Sequence, residues 1–198
     1  MTNTVRFIKS IHQIGKDQWD ALLSTDNPFL RFEFLAALED SQCIDSPKLN
    51  KSDTNQILNS GWIPNYLLLE NETHVLAIAP VYQKLHSYGE YVFDWSWADA
   101  YQQHGLNYYP KLVWAIPFTP STGPRIVSQG NPEQLVTYHQ EIAQGLTAYC
   151  LNNHFSGWHC LFPDALGLRS LGSKSINAKS LSVNHSNKDP LVNAINNN

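Results

Sequence analysis

The stretch GNPEQLVTYHQEIAQGLTAYCLNN, residues 130–153, decides the fold. Asn131 followed by Pro132 reads as a helix start: a short polar cap, then a proline at a position whose N–H has no intrahelical partner anyway. Leu135, Tyr138, Ile142, Leu146 and Tyr149 then recur about every 3.5 residues, which gives the helix one apolar face. Apolar runs flank it: residues 112–117 before, and GWHCLFP, residues 157–163, after. Both read as strands. Strand, helix and strand in that order predict an α/β domain with helices set against a sheet.

The segments further out fit that class. Residues 5–11 predict a strand and KDQWDALL, residues 16–23, a short helix. In NPFLRFEFLAALED, Asn27 and Pro28 predict a capped start, and Phe29, Phe32, Leu35 and Leu38 follow at helical spacing. Residues 66–70 and 75–85 flank the polar turn Asn71-Glu72 as a β-hairpin. Residues 91–97 alternate and predict a further strand. The polar stretch 43–60 predicts a surface loop.

Composition bounds the function. With 42% hydrophobic and 12% aromatic residues among 198, the chain is long enough for one well-buried domain. A formal net charge of −4, a pI near 6.0 and the lack of any basic stripe argue against DNA as a partner. The N-terminus MTNTVRFIKS has no apolar run of the signal-peptide kind, and no stretch has the length of a membrane span. Three widely spaced cysteines, Cys43, Cys150 and Cys160, fit reduced thiols, so a cytoplasmic location is expected. Every Trp, Tyr and Phe lies at or before Phe162. Residues 167–198 hold six serines and seven asparagines, too little apolar surface to offset ordering, so 164–198 are expected to form a disordered tail after a domain at 1–163.

Particular segments resemble a known family. NPFL…FLAALE, GW.P.YLLLE, HSYGEYVFDW.WADAY, YYPKLV and PFTP.TGPR are similar to the FemAB-like branch of the GNAT acyltransferase superfamily, in its peptidoglycan biosynthesis/recognition group. The resemblance covers residues 27–163 and implies a GNAT-like mixed sheet flanked by helices. It implies transfer of an acyl or aminoacyl group to an amine on a small-molecule or peptide-like acceptor. The donor stays open between acyl-CoA and aminoacyl-tRNA, the donors of the wider superfamily. Members of that group are about twice this length, with two halves. The chain is therefore expected to be an N-terminal half, with a truncated or frameshifted ending and a missing second domain. The superfamily's pyrophosphate-gripping Gln/Arg-x-x-Gly-x-Gly/Ala turn is absent. Gly130 and Asn131 do sit at a helix start, but as an ordinary capped helix, so no bound cofactor is expected.

Candidate site residues concentrate in residues 86–112, HSYGEYVFDWSWADAYQQHGLNYYPKL, with five tyrosines, two tryptophans and three carboxylates. Strand alternation places Tyr91, Phe93, Trp95 and Trp97 on one face as core, and Asp94 on the other. A carboxylate desolvated among rings has a raised pKa and suits a general base; Glu90, Asp94 and Asp99 are the candidates, with at most one expected to serve. Their structural alternatives are a surface residue for Glu90 and a helix cap over residues 100–104 for Asp99. Tyr88, Trp97, Tyr108, Tyr109 and Lys111 are candidate acceptor contacts, against a tyrosine ladder with Lys111 reaching water. Thr119 and Arg125 lie in the proline-fixed loop PFTPSTGPR, and the planar fork of Arg125 suits an anion. His86, His104, His154 and His159 have no metal-ligand spacing, so no metal is expected, and no nucleophile elbow occurs. The expected role is acceptor recognition in an N-acyltransferase family. A non-catalytic binding module or an inactive remnant is the alternative.

Overall fold

The computed structural model describes residues 3–45 and 60–172. The predicted loop within 46–59, and the tail beyond 172, lie outside these residues. In chain order the elements are β1 (Thr4–Ile8), α1 (Lys16–Leu22), α2 (Phe32–Asp40), β2 (Trp62–Pro64), β3 (Tyr66–Glu70), β4 (Val75–Ala79), β5 (Val81–Lys84), α3 (Trp95–Gln103), β6 (Lys111–Trp114), α4 (Pro132–Asn152), β7 (Trp158–Cys160) and α5 (Ala165–Gly172). This is a mixed α/β fold of two sheets flanked by helices, consistent with a GNAT-like arrangement. Sheet order is β1-β3-β4 in one and β2-β5-β6-β7 in the other.

The helix at 131–152 forms as its sequence predicts. Asn131 Oδ1 accepts from Gln134 N, and the Gln134 side chain accepts from Asn131 N, a reciprocal capping box. The helix carries the chain from β6 to a parallel β7, the right kind of connection for parallel neighbours. The other strand pairs among the described residues are antiparallel.

β3 reads YLLLE and is buried on both faces, which alternation alone does not disclose. Tyr66 and Leu68 join Trp19, Leu30, Leu35 and Ile78 beneath α1 and α2. Leu67 and Leu69 join Trp114, Ile142, Leu146 and Cys150 beneath α4. The strands therefore form a middle layer between helices. Glu39, buried in α2, ties the layers together: it accepts from Ser10 Oγ (2.6 Å), Ile11 N (2.9 Å) and Tyr66 Oη (3.0 Å).

Several expectations are corrected. The strand expected over 75–85 is two, because Pro80 has no N–H for a ladder and the chain passes from one sheet to the other there. Asn27 does cap a turn, accepting from Phe29 N at 3.0 Å, but that turn is 3-10 and α2 begins only at Phe32. The strand expected over 5–11 stops at Ile8. Residues 91–97 are not a strand; the segment is irregular and then opens α3 at Trp95. The chain also stays ordered past 163. Asp164 accepts from Gly167 N at 2.8 Å and starts α5, which packs on α4 through Gly167 and the ring of His139.

Replacing Glu39 with leucine leaves three buried donors without an acceptor. Urea denaturation is expected to show a loss of about 3 kcal/mol; a change within about 0.5 kcal/mol, the scale of a neutral surface substitution, would remove Glu39 from this role.

Candidate functional site

The site is built where β5 and β6 pair. Their register sets Lys84 directly opposite Lys111, and both side chains are buried. Like charges facing each other across a ladder repel. A buried ammonium without a counter-charge is costlier still. The loop between the two strands supplies the answer. Glu90 Oε2 accepts from Lys111 Nζ at 2.8 Å, and Asp94 Oδ2 accepts from the same ammonium. The Glu90 and Lys111 side chains are fully buried, and that of Asp94 is 7% exposed. Two lysines and two carboxylates balance.

Aromatic rings close the shell. Lys111 Nζ lies 5.5 Å from the Tyr108 ring centroid and 5.8 Å from that of Tyr109. Lys84 Nζ lies 4.1 Å from the centroid of Trp62 and donates to Tyr88 O at 2.9 Å. Both lysines thus gain from ring quadrupoles in a desolvated place, where such contacts are strongest. Tyr108 also stacks edge-on against Tyr101, and its hydroxyl lies 3.3 Å from His159 Nε2.

Burial sets the protonation behaviour. Desolvation raises the Glu90 carboxyl above its ordinary value against the pull of Lys111. Desolvation also pulls Lys84 down to about 8, with Glu90 and Asp45 opposing and Lys111 assisting. Burial, and then Asp94, pushes the Tyr108 phenol up, so it stays a neutral hydroxyl. Burial lowers His159, with Lys111 adding to the effect. Glu90 Oε1 is buried and has no hydrogen-bond partner among the described residues. The arrangement can therefore take up a proton, or an N–H, at that oxygen.

Of the residues singled out from sequence, Glu90, Asp94, Tyr108, Tyr109 and Lys111 come together. Tyr88 sits beside them, its carbonyl on Lys84 and its ring exposed. Lys111 does not reach water, as the ladder reading has it; it is the centre of the cluster. Asp99 caps nothing: it lies inside α3, exposed. Asp94 holds the cap position, but its carboxylate turns inward to Lys111. Tyr91, Phe93, Trp95 and Trp97 are not core, each more than half exposed: the strand whose alternation would bury them does not form, and Asp94 turns inward instead. Thr119 donates to Pro117 O within its own loop. Arg125, expected from its fork to meet an anion, has backbone carbonyls as its partners. It is buried, and it donates to the carbonyls of Leu161, Gly123, Pro124 and Ser121 at 2.7–3.1 Å. Its fork joins the 121–125 loop to the end of β7. Lys84 and Trp62 were missed. The signal for Lys84 is its place two residues after buried Tyr82 on one strand, which puts it on an inward face.

Two surface hollows, of about 300 Å³ and 240 Å³, lie elsewhere. Asp20, Asp26 and Arg31 line the first, and Val75, Gln129 and Tyr138 the second.

The FemAB-like family profile, described as peptidoglycan biosynthesis/recognition, matches residues 10–189. The chain belongs to this family. The match passes residue 163, where the resemblance read from sequence stops, and takes in α5. Comparison with curated proteins and with solved structures returns no match. Among the described residues no helix is long and apolar enough to cross a membrane.

Two tests follow from the cluster. Lys111→Met strands two buried carboxylates and is expected to cost about 3–5 kcal/mol in urea denaturation. Adding Glu90→Gln and Asp94→Asn to it should recover more than half of that loss. A triple variant no more stable than Lys111→Met would contradict the charge balance. Lys84 gives a pH signature. Between pH 8 and 10.5 the unfolded chain holds a proton on Lys84 that the folded chain has released, so stability rises with pH through that window. Subtracting the Lys84→Met curve isolates this rise; identical slopes for the two proteins would sink it.

Proposed function

We propose that this chain serves acyl or aminoacyl transfer to an amine, and that its described part recognises the acceptor. Glu90 carries the reading. It is a buried carboxylate with one oxygen fixed by Lys111, the other without a partner among the described residues, and a pKa raised by burial. A carboxylate in that condition suits removal of a proton from an ammonium near neutral pH. Glu90 takes that proton and the freed nitrogen bonds to the acyl carbon. The donor's bond to that carbon breaks, the leaving group departs with the electron pair, and the proton shed by nitrogen passes to it. Lys111, itself held by Asp94, fixes Glu90 in place.

Membership in a peptidoglycan biosynthesis/recognition family supports a peptide-like acceptor bearing an amine. The absence of a Gln/Arg-x-x-Gly-x-Gly/Ala turn supports placing donor binding outside these residues. A second reading, a binding module without turnover, draws on the complete burial of the Glu90 side chain.

Calorimetric titration with a peptidoglycan stem peptide carrying a free side-chain amine, and with its N-acetylated twin, separates these ideas. Saturable binding with at least a tenfold preference for the free amine is expected, worth about 1.4 kcal/mol or more, and Glu90→Gln should abolish the preference. Equal affinities would overturn the role of Glu90. Saturable acyl-CoA binding without peptide binding would overturn acceptor recognition.

A further inference from the structure

Tyr91, Val92, Phe93, Trp95, Ser96 and Trp97 are all exposed, and Asp94 alone in that run is buried. Such a run is unusual in a chain that otherwise buries its large rings. At 150–250 Å² for each whole side chain, the exposed parts of Tyr88, Tyr91, Phe93, Trp95 and Trp97 amount to roughly 600 Å².

The geometry restricts what can cover these rings. Trp95 and Trp97 are two positions apart, which at 3.6 residues per turn sets them about 200° apart around α3. A flat surface can meet one of them but not both. α3 has no buried residue and is steadied by Tyr101 against Tyr108. Its first turn projects, with rings on opposite flanks. Phe93 extends one flank, its ring centroid 4.9 Å from that of Trp95.

Charge restricts the occupant further. Residues 85–110 contain no lysine or arginine. The lysines on either side, Lys84 and Lys111, are buried, as are Glu90 and Asp94. Asp99, a turn further along α3, is the exposed acid.

We infer that residues 91–97 are a membrane-docking tip that seats its rings in the boundary between headgroups and acyl chains of a lipid bilayer. A fluid boundary closes around a projecting turn from every side, which a folded partner's flat face does not. Trp and Tyr favour that depth because one end of each ring system is apolar and the other polar. An ionised carboxylate there is costly, and the one such group in the tip, Asp94, is withdrawn onto Lys111. Asp99 limits the depth to the first turn of α3. With no lysine or arginine in residues 85–110, the tip's attachment does not draw on anionic lipid, so it is insensitive to salt. The docking does not depend on acyl transfer and stands or falls separately from it.

Co-sedimentation of the full chain with pure phosphatidylcholine vesicles, at 0.1 M and 1 M salt, tests this. Saturable partition of equal strength at both salts is expected. Trp95→Ser and Trp97→Ser should each lower the partition coefficient about tenfold or more, from the loss of a ring's burial. Leu151→Ser, equally exposed on α4, should leave it unchanged, and circular dichroism checks that all variants keep the fold. Three results would overturn the inference: no partition into neutral vesicles, partition confined to anionic vesicles and lost at 1 M salt, or tryptophan variants that bind like the parent. Sedimentation velocity tests a second copy of the chain as the occupant. A concentration-dependent dimer abolished by Trp97→Ser would assign the rings to a second copy and overturn it too.

Discussion

Two buried lysines face each other across neighbouring strands, and much of this structure answers that fact. Lys84 and Lys111 are in register on β5 and β6, with no water to disperse their charge. The chain between them must return two carboxylates to the same spot. It does so with Glu90 and Asp94, four residues apart, and the segment's shape follows. Fixing both acids inward leaves Tyr88 and residues 91–93 and 95–97 facing out. The interior of the site and the aromatic surface above it are two sides of one constraint.

The same constraint keeps Glu90 in an unusual state. Burial favours its protonated form and Lys111 favours its charged form, with burial the larger influence. A surface ion pair of this composition would be worth little and would leave the carboxylate ordinary. Here the rings of Tyr108 and Tyr109 exclude water, and the carboxylate keeps one oxygen uncommitted among the described residues. The rest of the fold holds this cluster in place. β6 is central in its sheet, between β5 and β7, and α4 covers one face of that layer. Arg125, with four carbonyls on its guanidinium, ties the loop after β6 to the end of β7.

What was legible in the sequence was local. The helix cap at Asn131 and the hairpin around Asn71 are written in neighbouring residues, and both formed. Their physics needs no distant partner. The reading failed where a distant partner decides. YVFDWSW alternates like a strand, but the ion pair of Asp94 with Lys111, seventeen positions away, outweighs the alternation and starts a helix instead. Arg125 looked like an anion contact because of its fork, and the same fork serves backbone carbonyls that only the folded chain assembles. Lys84 drew no notice because a lysine in a strand ordinarily reaches water. The crowding of rings and carboxylates did single out residues 86–112, and the fold brings five of the candidates there together. The divided sheet at Pro80 and the added helix α5 were not legible, since composition points to a tail from residue 164 while one aspartate cap and a glycine contact build a further turn of core.

The most direct test of the buried cluster is a carbon-13 titration of the Glu90 side-chain carboxyl by NMR, followed by chemical shift across pH 3 to 8. A midpoint above the ordinary glutamate value is expected, because desolvation outweighs the attraction of Lys111. A midpoint at or below the ordinary value would mean that the attraction of Lys111 outweighs desolvation, and would contradict the fitness of Glu90 as a base.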